Sequence, residues 1–197
     1  MTNTLVIGLG SPDRGDDAVG SLVARAVAGL RLADVRVVAH EDPTALIDLW
    51  AATDLTVVVD AVVSGCRPGA LHVLDVGAES QQPPDTDHAR QLEAHARRLS
   101  ASGRRAPRRG GTHAFGLGAS VELARALHRL PPRLVLVGVE AASFEHGAPL
   151  SDAVSAAVPE AVRRVVEVIE VPPAASPSPR GANPAPRHTQ EAGHVPR

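Results

Sequence analysis

Two carboxylates and an imidazole, far apart along the chain, have the types and placement that cation or proton chemistry needs. Asp17 follows a short apolar run and a glycine-rich turn, Asp60 closes the apolar run Leu55–Val59, and His113 follows Gly110, Gly111 and Thr112. A charge at the C-terminal end of a buried strand is expensive unless it is paired or bound to a metal. The plainer reading of Asp60 is a cap on the next turn, and a lone histidine is more often structural than a ligand. Adjacent Asp16 and Asp17 both suit a helix start, where carboxylates are favoured by capping and by the helix dipole. One of them can cap while the other faces the crevice above the strand ends, where open α/β sheets bind ligands. Asp16 is taken as the cap. Asp17, Asp60 and His113 together would make an open site for a divalent cation, with positions left for water or for a second protein's ligands. From residue types alone this set is one among several.

Other chemistries lack their parts. Gly8 and Gly10 begin a dinucleotide-type turn, but position 13 is Asp where the third glycine belongs, and acids at the helix start would repel a pyrophosphate. The chain has no Gly-x-Ser-x-Gly nucleophile elbow and no His-Glu-x-x-His pair. Cys66 is the single cysteine, so no internal disulfide framework or cysteine-rich zinc site is available. It falls in a Gly65–Gly69 turn and reads as an incidental loop thiol. His40 reads as a loop histidine at the edge of the cleft, and His72 as an ordinary strand residue.

The elements that must position these groups follow from periodicity. Strands are expected at Leu5–Ile7, Val35–Val38, Thr56–Val59, Leu71–Leu74 and Leu134–Val137. The run at Leu55–Val59 is β-branched and apolar on both faces, as a central covered strand requires. The fourth strand should run antiparallel to its neighbour, because the connection to it is short. Helices are expected from Ala18 to Leu30, from Thr44 to Trp50, from Thr112 to Leu127 and from Ser151 onward, with Pro159 kinking the last or opening its second segment. The fold class is therefore α/β, three-layered, with a mainly parallel five-stranded sheet between helices, phosphorylase/hydrolase-like. The domain should span 1–171. Within it, 77–111 carries seven arginines against four acids and reads as a mobile excursion. Residues 172–197 are rich in proline without periodicity and read as a disordered tail.

Composition sets outer bounds. The 197 residues carry a net charge of −2, which gives no footprint for non-specific nucleic-acid binding. The core must be aliphatic, since the chain has no Tyr, two Phe and one Trp. No long apolar run or signal-like leader is evident, so the cytoplasm is the expected location.

The N-terminal stretch resembles the hydrogenase maturation proteases, the endopeptidases that trim the C-terminus of the nickel–iron hydrogenase large subunit. Their signature is a strand, Gly-x-Gly-Asn, a short loop, then Asp-Asp or Asp-Glu, two residues and a Gly. Here it reads Gly8-Leu9-Gly10-Ser11 and then Asp16-Asp17-Ala18-Val19-Gly20, with Ser11 in place of Asn. The turn after the second strand reads His40-Glu41-Asp42-Pro43 where many members have Asp-Gly-Gly-Thr and others carry a His. The last strand, Leu134–Val139, is almost the same string in the family. The resemblance covers about residues 4–170 apart from the arginine-rich excursion. It implies that Asp17, Asp60 and His113 are both the catalytic and the metal-contacting residues, with Asp17 as the candidate base. The cofactor it implies is nickel supplied by the substrate precursor, other divalent cations being expected to occupy the site in isolation. The implied partner is the hydrogenase large-subunit precursor, met by a monomer. The competing class on the same fold is a nickel-dependent assembly chaperone or binding module without protease activity.

Overall fold

The computed structural model describes residues 3–77 and 112–171; of residues 112–116 it describes the backbone alone. Five strands form one sheet in the order β2-β1-β3-β5-β4. They are β1 (Thr4–Leu9), β2 (Val35–His40), β3 (Leu55–Val62), β4 (Leu71–Asp75) and β5 (Arg133–Glu140). Every expected strand lies inside one of these. The first four positions in the order are parallel, and β4 alone runs antiparallel. Its partner, however, is β5 and not β3, which precedes it in the chain. The short connection after β3 reverses direction as expected, but it leaves a strand's width that β5 fills from much further along the chain.

The helices are α1 (Val19–Gly29), α2 (Leu46–Trp50), α3 (Thr112–Ala126) and α4 (Asp152–Glu170). Strand side chains alternate between the two layers. Val6, Val57, Val59, Val137 and Val139 pack with Val19, Val23 and Val27 of α1 and with Val154, Ala157 and Val165 of α4. On the opposite face Leu5, Ile7, Leu9, Val58 and Leu134 pack with Leu46 and Trp50 of α2 and with Leu117, Val121 and Ala124 of α3. A sheet covered on both faces has no polar alternation to show, which is why its strands read as continuous apolar runs. Ser151 caps α4 through Val154 N, and that helix continues unbroken through Pro159. Asp42 caps the single turn Pro43–Ala45 that leads into α2.

Two glycines fix how α1 meets the sheet. A Cβ on Gly8 would strike the carbonyl of Gly20, and one on Gly20 would strike the carbonyls of Leu9 and Val59. The first turn of α1 therefore rests backbone to backbone on β1 and β3, and residues 15–18 are held against the strand ends. The 77–111 excursion and the 172–197 tail, apart from Gly77, lie outside the described residues.

Candidate active site

All three expected residues trace to the C-terminal edge of the parallel strands. Asp17 lies in a single 3-10 turn, Gly15–Ala18, between the β1 loop and α1, and is 2% exposed. Its Oδ2 accepts from Ser11 N at 3.0 Å, across a loop that turns at Gly10 with φ +123°. Asp60, also 2% exposed, sits on β3 beside Gly138 of β5. Its Oδ1 accepts from the next backbone N–H, that of Ala61, at 2.9 Å, and its Oδ2 is buried with no hydrogen-bond partner among the described residues. Burial, and after it the neighbouring Asp17 charge, push the Asp60 carboxyl up to about 8, against a smaller downward pull from the Ala61 N–H. A buried carboxylate next to another carboxylate is the situation in which a cation is most strongly favoured.

His113 occupies the first turn of α3, at the same end of the sheet. Its side chain lies outside the described residues. Leu117, one helical turn further on, lines a cleft of roughly 250 Å³ together with Asp60, Val62, Ser64, His72 and Gly138. The structure thus brings Asp17 and Asp60 together, and places the backbone of position 113 one turn before a residue that shares Asp60's cleft.

Asp16 has a different role from the helix cap expected of it. The helix it precedes begins only at Val19 and carries no side-chain cap. Asp16 is fully buried, and its carboxylate instead accepts from Ala142 N at 2.7 Å, Ser143 N at 3.0 Å, Ser151 N at 2.7 Å and Ser151 Oγ at 3.0 Å. These donors belong to the loop between β5 and α4, more than 120 residues away in sequence. Asp16 therefore ties the N-terminal turn to the far end of the domain. The 3-10 turn separates the two acids: Asp16 faces that loop and Asp17 faces the Gly10–Ser11 loop.

One buried acid escaped the sequence reading. Glu140 ends β5 as Asp60 nearly ends β3, and it is 2% exposed. The signal was present in the same form, a carboxylate after an apolar run. Its partners, Ser64, Gly65 and His72, are all non-local.

No family profile matches the chain's sequence, and no curated protein matches it. Solved structures do. The hydrogenase maturating endopeptidase HybD from E. coli is 21% identical with a TM-score of 0.62, covering 85% of this chain and 91% of that one. An endopeptidase from Escherichia coli solved in solution gives a TM-score of 0.65 at 21% identity, with the same two coverages. The [NiFe] hydrogenase maturation protease HybD from Thermococcus kodakarensis is 20% identical with a TM-score of 0.56, covering 84% of this chain and 98% of that one. At these identities the likeness is one of fold: the chain has the α/β architecture of the hydrogenase maturation endopeptidases.

Proposed function

We propose that this chain is a maturation endopeptidase that removes the C-terminal extension of a nickel–iron hydrogenase large-subunit precursor once nickel has been inserted. The observation that carries the reading is Asp60: a carboxylate oxygen buried without a partner among the described residues, beside a second buried carboxylate, at the edge where open α/β sheets bind ligands. An approaching divalent cation would convert their mutual repulsion into attraction and displace the proton that burial holds on Asp60.

In this reading the nickel arrives with the substrate. Asp60 and His113 contact it, and Asp17 takes the proton from the attacking water. Hydrolysis adds that water across one peptide bond: the hydroxyl goes to the scissile carbonyl carbon and a proton to the leaving amine. Ser11 N–H holds Asp17 Oδ2, which fixes the carboxylate's orientation without neutralising it. Asp16 keeps the turn carrying Asp17 in register with the β5–α4 loop and touches no substrate. The test is incubation with nickel-loaded precursor, read by mass. Loss of a mass equal to the tail, dependent on Asp17 and Asp60, supports the reading. Tight precursor binding with no mass loss would move the chain to the binding-module class.

A further inference from the structure

The geometry points to a second, protein-held metal site formed by Cys66, His72 and Glu140, which would take a zinc-class divalent cation. One ligand atom from each of these residues lies within 4.8 Å of the other two. They come from three places: the turn after β3, the start of the edge strand β4, and the end of β5. This inference is independent of the proteolytic reading above.

Glu140 is the built part of the site. Its Oε1 accepts from Ser64 N and Gly65 N, both at 2.9 Å, and its Oε2 accepts from Ser64 Oγ at 2.7 Å. These bonds fix the carboxylate's plane, and Oε2 then faces His72 Nε2 at 3.3 Å. In a tetrahedral site with bonds of about 2.0–2.3 Å, ligand atoms stand roughly 3.3–3.8 Å from one another. The His72–Glu140 edge already has that length, so a cation can enter there with little movement of either group. Only the Cys66 thiol has to close in, by a rotamer or turn adjustment of about 1 Å.

The donor set selects the cation. A thiolate, an imidazole and a carboxylate suit Zn²⁺ and its neighbours and disfavour Mg²⁺ or Ca²⁺, which prefer all-oxygen shells. Glu140 is held by the outer hydrogen bonds that metal-ligating carboxylates need. Three protein ligands leave a fourth position open. Cys66 is exposed, so the site can be loaded from solvent. His72 and Ser64 also line the cleft that contains Asp60. Asp60, Gly138 and His72 stand side by side on three adjacent strands, two strand spacings or about 10 Å from end to end. The cation would therefore sit at the far end of the same cleft and be distinct from whatever Asp60 contacts. The thiol binds as its thiolate, and His72 binds as the neutral imidazole with its remaining proton on Nδ1.

Cobalt titration of the metal-stripped full-length protein tests the site. Cys66 is the only cysteine, so a thiolate-to-cobalt charge-transfer band can arise only there. The expected result is that band at one Co²⁺ per chain, bleached by one equivalent of Zn²⁺. Cys66→Ser should abolish the band, and because Cys66 is exposed this variant keeps its fold. His72→Ala should weaken Co²⁺ affinity about tenfold or more, equivalent to about 1.4 kcal/mol. Asp60→Asn should leave the amplitude of the band unchanged, because cobalt held by Asp17 and Asp60 carries no thiolate band. Absence of a thiolate band at stoichiometric Co²⁺, or a band and affinity that survive His72→Ala unaltered, overturns the site.

Discussion

Asp16 and Asp60 are both buried acids, and they are opposites in every other respect. Asp16 accepts four hydrogen bonds from donors of one distant loop, so its charge is compensated and its role is mechanical. Asp60 accepts one, from its own successor, and its second oxygen has no partner among the described residues. Burial alone does not mark an acid as functional. Between these two, the fold has taken up the lone pairs of Asp16 and left one oxygen of Asp60 unmet, and that makes the first an anchor and the second a site. Neighbouring Asp17 faces another way within the same turn, since one residue's shift takes the side chain from the β5–α4 loop to the Gly10 loop.

The comparison breaks most sharply in activity. Asp60→Asn and Asp17→Asn should each slow removal of the precursor tail by about 10²–10⁴-fold, measured by mass at equal folded concentration. Asp16→Asn should leave turnover within a few-fold once corrected for the folded fraction. If Asp16→Asn stops cleavage and Asp17→Asn does not, the roles of the pair are exchanged.

Stability should show the reverse ranking. Asp16→Ala strands buried backbone donors at Ala142, Ser143 and Ser151, and each bond to a charged acceptor contributes about 1.5–3 kcal/mol. A loss of about 3 kcal/mol or more is expected, lowering Tm by roughly 2–4 °C for each kcal/mol. Denaturant melts of Asp16→Ala that match the parent would show that the β5–α4 loop is not held by this carboxylate.

A smaller effect has a defined pH window. Asp60 is raised in the folded protein from 3.8 to about 8. Below pH 4 the group is protonated in both states and costs nothing. Between pH 4 and 8 the unfolded chain releases this proton while the folded one keeps it, so stability falls as pH rises and levels off above about 8. Asp60→Asn should melt higher than the parent at pH 8 and together with it at pH 4. A divalent cation should flatten the parent's slope by binding the ionised form. A parent-minus-variant difference that is independent of pH would show that Asp60 ionises normally.

The smallest effect belongs to the surface. Arg164 pairs with Glu160 at 3.1 Å and with Glu167 at 2.9 Å on the exposed side of α4. Arg164→Ala should cost about 1 kcal/mol or less, and the cost should shrink in high salt. A loss as large as that of Asp16→Ala would mean that counting partners, without burial, is enough to rank these charges.

The amino-acid sequence by itself determined the elements. Runs such as Thr56–Val59 and Leu134–Val137 are strands wherever they fall, because β-branched apolar segments of that length must be covered on both faces. The turn at Gly8–Gly10, the helix start at Ser151 and the costly placement of Asp60 were equally legible, being local statements about backbone freedom and desolvation. What the tertiary structure decided is which distant groups meet. The insertion of β5 between β3 and β4 brings Glu140 onto the Ser64–Gly65 turn and beside His72, and the same return of the chain carries the β5–α4 loop onto Asp16. Those contacts join residues separated by 68 to 135 positions. No local propensity encodes such a pairing, because its free energy exists only after the sheet has closed and water has been excluded from around the charge.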